Sequence, residues 1–225
     1  MALPESGPLS LSDIQTEFGG VNPIALSEYY RGGAYVTDNN TGVPTSGEIS
    51  IGDFYGAVLY GTWDSAGDFI VPSGVTAIRI TALGGGGGAG GYASAYGFYA
   101  PGGAGGKGGK AYHPSLAVTP GETLVVAVGG AGSAGASNIY YPSGGSSYYK
   151  GNAGTVGGPT SVKRGATTLA QGNGGGGGGG GLASQEGFYY AGTAGVAGSG
   201  SVASGGTVTP GFNTGTGSIF IEWGF

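Results

Sequence analysis

The chain has no cysteine, one histidine and one methionine. No disulfide or thiolate metal site can form, and one imidazole leaves little inventory for acid–base or metal chemistry. Charged residues make up 8 % of the 225, and the lysines stand singly, which points away from nucleic acid as a partner. No run reaches the ~18 apolar residues of a membrane span. Met1-Ala-Leu-Pro-Glu-Ser-Gly7 lacks the basic start and apolar core of a signal peptide, so a product soluble at synthesis is expected. The 11 prolines are too few and scattered for collagen. With 39 % hydrophobic residues and 15 tyrosines, the chain is not a charged disordered tail either.

Glycine is what the chain has in excess: 58 residues of 225, against about 7 % in ordinary proteins. The distribution is uneven. Residues 1–60 hold 9 glycines, seven acids and one base, Arg31, for a net −6; residues 61–225 hold 49 glycines and a net charge of +1. Two regions are expected, 1–60 and 61–225.

The first region contains a repeat. Pro4-Glu-Ser-Gly-Pro-Leu-Ser-Leu-Ser-Asp-Ile14 aligns with Pro44-Thr-Ser-Gly-Glu-Ile-Ser-Ile-Gly-Asp-Phe54 at a spacing of 40. Each copy reads as a Ser-Gly turn, a short extended segment and a polar cap opening a helical turn. Ser12 or Asp13 is the expected cap of a helix over 14–18, and a second short helix is expected over Ile24–Tyr30, ending at Gly32-Gly33. Elements this short need packing against one another or against a partner. A docking or assembly module follows, with Leu9, Leu11, Asp13, Ile14, Phe18, Tyr29, Tyr30, Ile49, Ile51, Asp53 and Phe54 as candidate docking residues. The alternative is an N-terminal cap on the second region.

The second region alternates strands with glycine runs. Phe69–Val71 and Val75–Leu83 flank the turn residues Pro72-Ser-Gly74. In the longer strand Ile78, Ile80 and Ala82 share one face, with Arg79 and Thr81 opposite. Glu122–Val128 aligns Leu124, Val126 and Val128, and Ser218–Trp223 aligns Ile219, Ile221 and Trp223. Pro159–Arg164 and Thr167–Ala170 read as a hairpin. The fold class expected is mainly β: an antiparallel β-sandwich with packed polyglycine II-like segments, preceded by a small N-terminal α+β region.

Two glycine runs are nearly pure, 84–88 and 174–181. Others have a period of three: Gly102–Lys110 carries side chains only at 104, 107 and 110, and glycine recurs at 129, 132, 135 and at 192, 195, 198. Three residues per turn is the pitch of polyproline II. Glycine at the other positions lets neighbouring backbones approach and bond. The competing reading is a flexible linker. Ordering glycine costs on the order of 1–2 kcal/mol per residue, so these runs are ordered only if they pack laterally.

Catalytic and metal motifs are weak. Gly-x-Gly-x-x-Gly matches arise by chance in so much glycine, and no helix pattern follows them. His113 reads as a strand-end residue, Asp64 and Asp68 are too few for a calcium site, and no carboxylate pair for glycoside cleavage is identifiable. The chain is read as a non-enzyme without cofactor or metal. The aromatic residues carry more information. Gly97-Phe-Tyr-Ala100 recurs as Gly187-Phe-Tyr-Tyr-Ala191, each after a long glycine run, and Tyr140-Tyr141 and Tyr148-Tyr149 bracket a hairpin tip at 142–147. Tyrosine on rigid turns provides contact area at low entropic cost. Candidate binding residues are Tyr92, Tyr96, Phe98, Tyr99, Tyr140, Tyr141, Tyr148, Tyr149, Phe188, Tyr189 and Tyr190. Alternatively, these rings seal the edges of the glycine layer.

Four ordered stretches, Asp68–Gly88, Gly108–Tyr112, Leu116–Gly129 and Gly217–Trp223, resemble the glycine-rich domain at the ends of bacteriophage tail-fibre and tail-tip proteins. Leu9–Gly19 with Ile24–Arg31 resembles an N-terminal signature recurrent in phage virion proteins. The T-even-like long-tail-fibre adhesins are a looser parallel. The resemblance implies a virion protein of the tail in preference to the capsid, made in the host cytoplasm. It implies docking on other virion proteins through 1–60, a host-surface glycan or outer-membrane protein as receptor, no membrane insertion, and a homo-oligomer, a trimer foremost. This chain has no coiled-coil or repetitive shaft, which favours a tip or a compact attached protein over a complete fibre. The alternative within the same resemblance is a purely structural tail, baseplate or capsid-decoration protein whose glycine layer mediates assembly.

Overall fold

The structure, a computed structural model, describes residues 3–36, 40–57, 60–72, 75–95, 97–143, 146–184 and 186–223, with the main chain alone for 141–143 and 146–147. Ser73-Gly74 of the expected turn, Tyr96 and the centre of the 142–147 tip lie outside the described residues.

The two repeat copies fold alike. Ser10 caps α1 (Leu11–Phe18): its hydroxyl accepts from the Asp13 N–H, and the Asp13 carboxylate accepts from the Ser10 N–H at 2.8 Å. Ser50 and Asp53 form the same reciprocal pair at 2.7 Å before the 3₁₀ turn Ile51–Phe54. The cap is therefore Ser10, two residues before the expected Ser12, because the box needs an acid three residues on. Gly7 and Gly47 hold matching left-handed turns (φ 101° and 87°). The Tyr55 hydroxyl donates to the Gly7 carbonyl at 2.6 Å, and Tyr30 does the same to Gly47. The expected helix over 24–30 is only a 3₁₀ turn, Leu26–Glu28. Main-chain bonds Leu3 N–H to Ala57 O and Gly56 N–H to Pro4 O, both 3.0 Å, close this unit on itself.

Two antiparallel five-stranded sheets follow. One runs β1 (Tyr60–Trp63), β16 (Ser218–Trp223), β3 (Ala77–Leu83), β6 (Gly108–Ala117), β15 (Thr207–Asn213); the other runs β14 (Gly200–Val202), β11 (Thr167–Gly172), β10 (Thr160–Arg164), β7 (Thr123–Ala127), β2 (Gly67–Ile70). β10 and β11 form the expected hairpin, with Gly165 at φ 55°. β2 and β3 do not pair with each other; the link between them crosses from one sheet to the other. The alternation expected of β3 and β16 holds: Ile78, Ile80, Ala82, Ile219, Ile221 and Trp223 are buried, and so are Leu124 and Val126 of β7. They belong to one buried cluster that extends to Ile14, Phe18, Tyr29 and Phe54 of the N-terminal unit. His113 lies within β6, not at its end. It is buried and occupied: Nε2 lies 3.0 Å from the Ser204 carbonyl, and Nδ1 accepts from the Ser115 N–H at 3.3 Å. At the rims, Arg79 pairs with Glu222 at 2.7 Å, and Arg164 pairs with Glu122.

Beyond the sandwich the glycine segments form a slab of six parallel and antiparallel runs: run 1 (84–92), run 2 (101–109), run 3 (129–138), run 4 (151–158), run 5 (173–181) and run 6 (191–199). Their hydrogen bonds have a period of three. Gly84, Gly87 and Gly90 donate to run 2, and Gly85, Gly88 and Gly91 donate to run 4, all at 2.8–2.9 Å. Run 1 in turn accepts from Gly132, Gly135 and Asn138 of run 3 and from Gly175, Gly178 and Gly181 of run 5. Runs 3, 1 and 2 make one layer and runs 4, 5 and 6 the other, and every contacting pair is joined by three such bonds. Alternate edges bonded to different neighbours are what three residues per turn produces, and the linker reading is set aside.

Room, not left-handed φ, is why glycine stands here: no slab glycine has a positive φ. A Cβ on Gly88 would run into the Ser133 carbonyl, and one on Gly177 into that of Gly154. Runs 1 and 5 each have four neighbours and are the near-pure glycine segments. Runs 3 and 6 have two neighbours each and need glycine only at every third residue, with side chains outward between.

Candidate functional site

Run polarity decides where the aromatic residues gather. Runs 1, 3 and 5 lead away from the sandwich, and runs 2, 4 and 6 return to it. Each outward run is linked to its return run by a hairpin, so all three hairpins lie at the end of the slab opposite the sandwich. The first is β4 (Ala93–Ala95) with β5 (Phe98–Ala100), and the second β8 (Ile139–Ser143) with β9 (Ser146–Lys150). The third is β12 (Leu182–Ser184) with β13 (Tyr189–Tyr190). β12 also pairs with β9, which fuses the last two into one four-stranded sheet.

The first hairpin lies on that sheet through small side chains: Ala93, Ala95, Ala100 and Ala183 are buried, with Tyr149 packed against them. Larger residues would hold the two layers apart. Gly97 and Gly187 take matching left-handed conformations (φ 84° and 85°) just before each Phe-Tyr pair. The Phe98 ring stacks on Tyr189 at 6.0 Å and 19°, Tyr92 lies against Tyr99 at 5.7 Å, and Tyr140 against Tyr149 at 5.3 Å. Tyr92, Phe98, Tyr99, Tyr140, Phe188, Tyr189 and Tyr190 are exposed, from 38 % to 61 %. Tyr148 and Tyr149 are half-buried, and Tyr149 packs against the buried alanines below. Tyr96 lies outside the described residues, and Tyr141 is placed by its main chain alone, opposite Tyr148 in the β8–β9 register.

A supporting residue escaped the sequence reading. Asn138 has a left-handed φ of 57°, the single positive φ among described non-glycine residues, a conformation asparagine tolerates. Its amide oxygen accepts from the Ser94 N–H at 2.8 Å, while its own N–H donates to the Tyr92 carbonyl at 2.8 Å. The Ser137 hydroxyl accepts from the Tyr92 N–H at 3.1 Å. This clamp ties the first hairpin to the base of the second. An Asn next to the end of a period-three glycine run is the sequence signal that could have found it.

The docking candidates at the other end need correction. Ile14, Phe18, Tyr29 and Phe54 are buried; their rings pack edge to face, Phe18 and Tyr29 each 6.2 Å from Phe54. They build the unit and offer no contact surface. Burial pushes the Tyr29 phenol up, and its hydroxyl donates to the Gly19 carbonyl at 2.6 Å. Asp13 and Asp53 serve as caps; the hydrogen bonds from Ser10 hold the Asp13 carboxyl below its usual range. Leu9, Leu11, Tyr30, Ile49 and Ile51 are half-buried, with part of each side chain left facing outward. No group of three or more metal-ligating side chains occurs among the described residues.

A family model described as a glycine-rich domain matches residues 62–221, from β1 to β16. No curated protein is matched by the chain.

Proposed function

We propose that this chain, which belongs to the glycine-rich domain family, is a bacteriophage virion component of a tail fibre or tail tip. In this reading residues 1–60 attach it to the particle, and the aromatic end binds a host-surface glycan or outer-membrane protein. The observation that carries the reading is the placement of the aromatic hairpins. All three stand at one end of a hydrogen-bonded slab, with the sandwich between them and the N-terminal unit. Nine residues of run 1 at about 3.1 Å each hold the rings roughly 28 Å beyond the sandwich. Exposed tyrosines on rigid turns suit a binding surface better than a core. The role requires no catalytic group.

The test is adsorption to host cells. Replacing Tyr99, Tyr189 and Tyr190 together by alanine, all at least 58 % exposed, is expected to lower adsorption more than about tenfold. Particle assembly is expected to persist, with thermal stability lowered only by the lost Phe98–Tyr189 and Tyr92–Tyr99 ring contacts. Undiminished adsorption by assembled particles would overturn the receptor role.

One observation favours a second reading, lateral assembly of the slab. Val156 on run 4 and Val196 on run 6 are 66 % and 80 % exposed. If that surface is buried between copies, aspartate at both positions blocks assembly and leaves the isolated chain folded.

A further inference from the structure

We propose that the open groove between runs 5 and 6 docks a glycine-rich segment of another protein, wound at three residues per turn and added to the slab as a further run. Unpaired main-chain groups carry the proposal. In run 5 the carbonyls of 173, 176 and 179 accept from run 2, and those of 175, 178 and 181 accept from run 4. The third set, Gly174, Gly177 and Gly180, accepts nothing among the described residues. With three residues per turn that set faces the remaining side, where run 6 borders it. Thr193, Val196 and Ser199 of run 6 lie against run 5, whose N–H groups they accept, while their own N–H groups donate to nothing among the described residues. The two lines border one groove: a Cβ on Gly176 would lie 3.0 Å from the Val196 nitrogen, and one on Gly179 2.9 Å from the Thr193 hydroxyl. The three glycines are half-buried and the run 6 residues exposed.

The opposite face of the slab is closed. There the Gly86 N–H donates to the Gly215 carbonyl at 2.8 Å and the Tyr92 N–H to the Ser137 hydroxyl at 3.1 Å, and the Gly84 carbonyl accepts from the Asn213 amide at 3.0 Å. Unpaired donors and acceptors along an open edge are a template for another chain, and their spacing selects it. Three residues of such a helix advance about 9 Å. Groups on one side of a β-strand recur about every 7 Å and fall out of step. A proline-rich helix has the pitch but lacks N–H groups for the three carbonyls. A side chain turned toward run 5 would hold the backbones apart, so glycine is required there. Runs 4, 5 and 6 carry no charged residue, so a neutral segment leaves no charge unmatched. A second copy has all six of its runs engaged in its own slab, so the occupant is a different chain.

The experiment titrates the full-length protein with a neutral, dye-labelled peptide of about three Gly-Gly-Ser repeats, the length of one run. Anisotropy should show saturable binding. Amide exchange at 193, 196 and 199 should slow at least about tenfold, with 194 and 197 unchanged. Gly176→Ala puts a methyl on the groove floor, and Val196→Arg, at a site 80 % exposed, hangs a long side chain over it without disturbing the fold. Each should weaken binding about tenfold or more; Val196→Arg keeps the test decisive if Gly176→Ala fails to fold. The triple tyrosine variant of the aromatic end should bind as the wild type does, so the groove and the receptor role fail independently. No saturable binding, equal binding of a Gly-Pro-Ser or an alternating Val-Thr peptide, unchanged exchange at 193, 196 and 199, unaltered affinity in Val196→Arg, or self-association that excludes the peptide would each overturn the proposal.

Discussion

In the sandwich, Ile78, Ile80 and Ala82 of β3 are buried among Ile219, Ile221, Leu124 and Val126, and side chains fill the space between two sheets. Two residues further on, at Gly84, the same chain enters a slab where carbonyls and amides of neighbouring runs meet with no side chain between them. The first arrangement gains from apolar area removed from water. The second depends on closely packed main-chain bonds to offset the large entropy cost of ordering glycine. The two regions therefore fail in opposite ways: the sandwich loses stability when a side chain shrinks, the slab when one appears.

The sharpest way to break this contrast is Gly177→Ala. The added methyl would meet the Gly154 carbonyl, and run 5 has four neighbours to displace. A loss above about 4 kcal/mol is expected, visible as a large fall in Tm or as insolubility. Ile80→Ala, at a site with 0 % exposure, should cost about 3 kcal/mol in denaturant unfolding. Ser10→Ala and Ser50→Ala each remove one half of a capping box and should cost about 1 kcal/mol, equally if the two copies are as alike as their geometry. Gly130→Ala should change stability by less than about 0.5 kcal/mol, because nothing lies within 4 Å of its Cβ position; a large loss there would show that glycine in the slab is needed for something other than room.

Amide exchange sharpens the comparison further. In run 5 the N–H groups of 173, 175, 176, 178, 179 and 181 donate within the slab, and those of 174, 177 and 180 do not. Protection should follow that period of three, whereas in the strands it should follow the ladder. Rapid exchange throughout 84–91 and 173–181 would sink the packed slab. pH should act through the sandwich rim and the cap, where the charges are. The Arg164 guanidinium holds the Glu122 carboxyl below its ordinary range, and Ser10 does the same for Asp13. A depressed folded pKa contributes stability above the unfolded value, about 4 for these groups, and loses it as pH falls through the folded value. Glu122→Gln should accordingly be less stable than wild type at neutral pH, and the gap should narrow as the pH falls below the ordinary carboxylate range.

Much of the architecture was legible in local pattern. Period two marked β3, β7 and β16, and period three marked the slab. The 40-residue repeat marked two polar caps opening helical turns; that each is a reciprocal box, with the first starting at Ser10 and not at Ser12 or Asp13, came from the structure. The legible part of the candidate site was its aromatic content. That Tyr148 and Tyr149 go partly under while Tyr189 and Tyr190 stay exposed was not legible, because it depends on β9 pairing with β12 across more than thirty residues. Among the docking candidates, Ile14, Phe18, Tyr29 and Phe54 were indistinguishable from surface apolar residues, since short helical turns carry too few residues to show which face is covered.

The sequence by itself settled the local chemistry: where side chains alternate, and where glycine leaves a backbone bare. Only the tertiary structure decided which glycine runs are central, and that alternate crossings bring three aromatic hairpins to one end. The reason is physical. Propensity, capping and periodicity act within a few residues, whereas neighbours in the slab come from segments far apart in the chain, and nothing in either segment alone encodes the other's position.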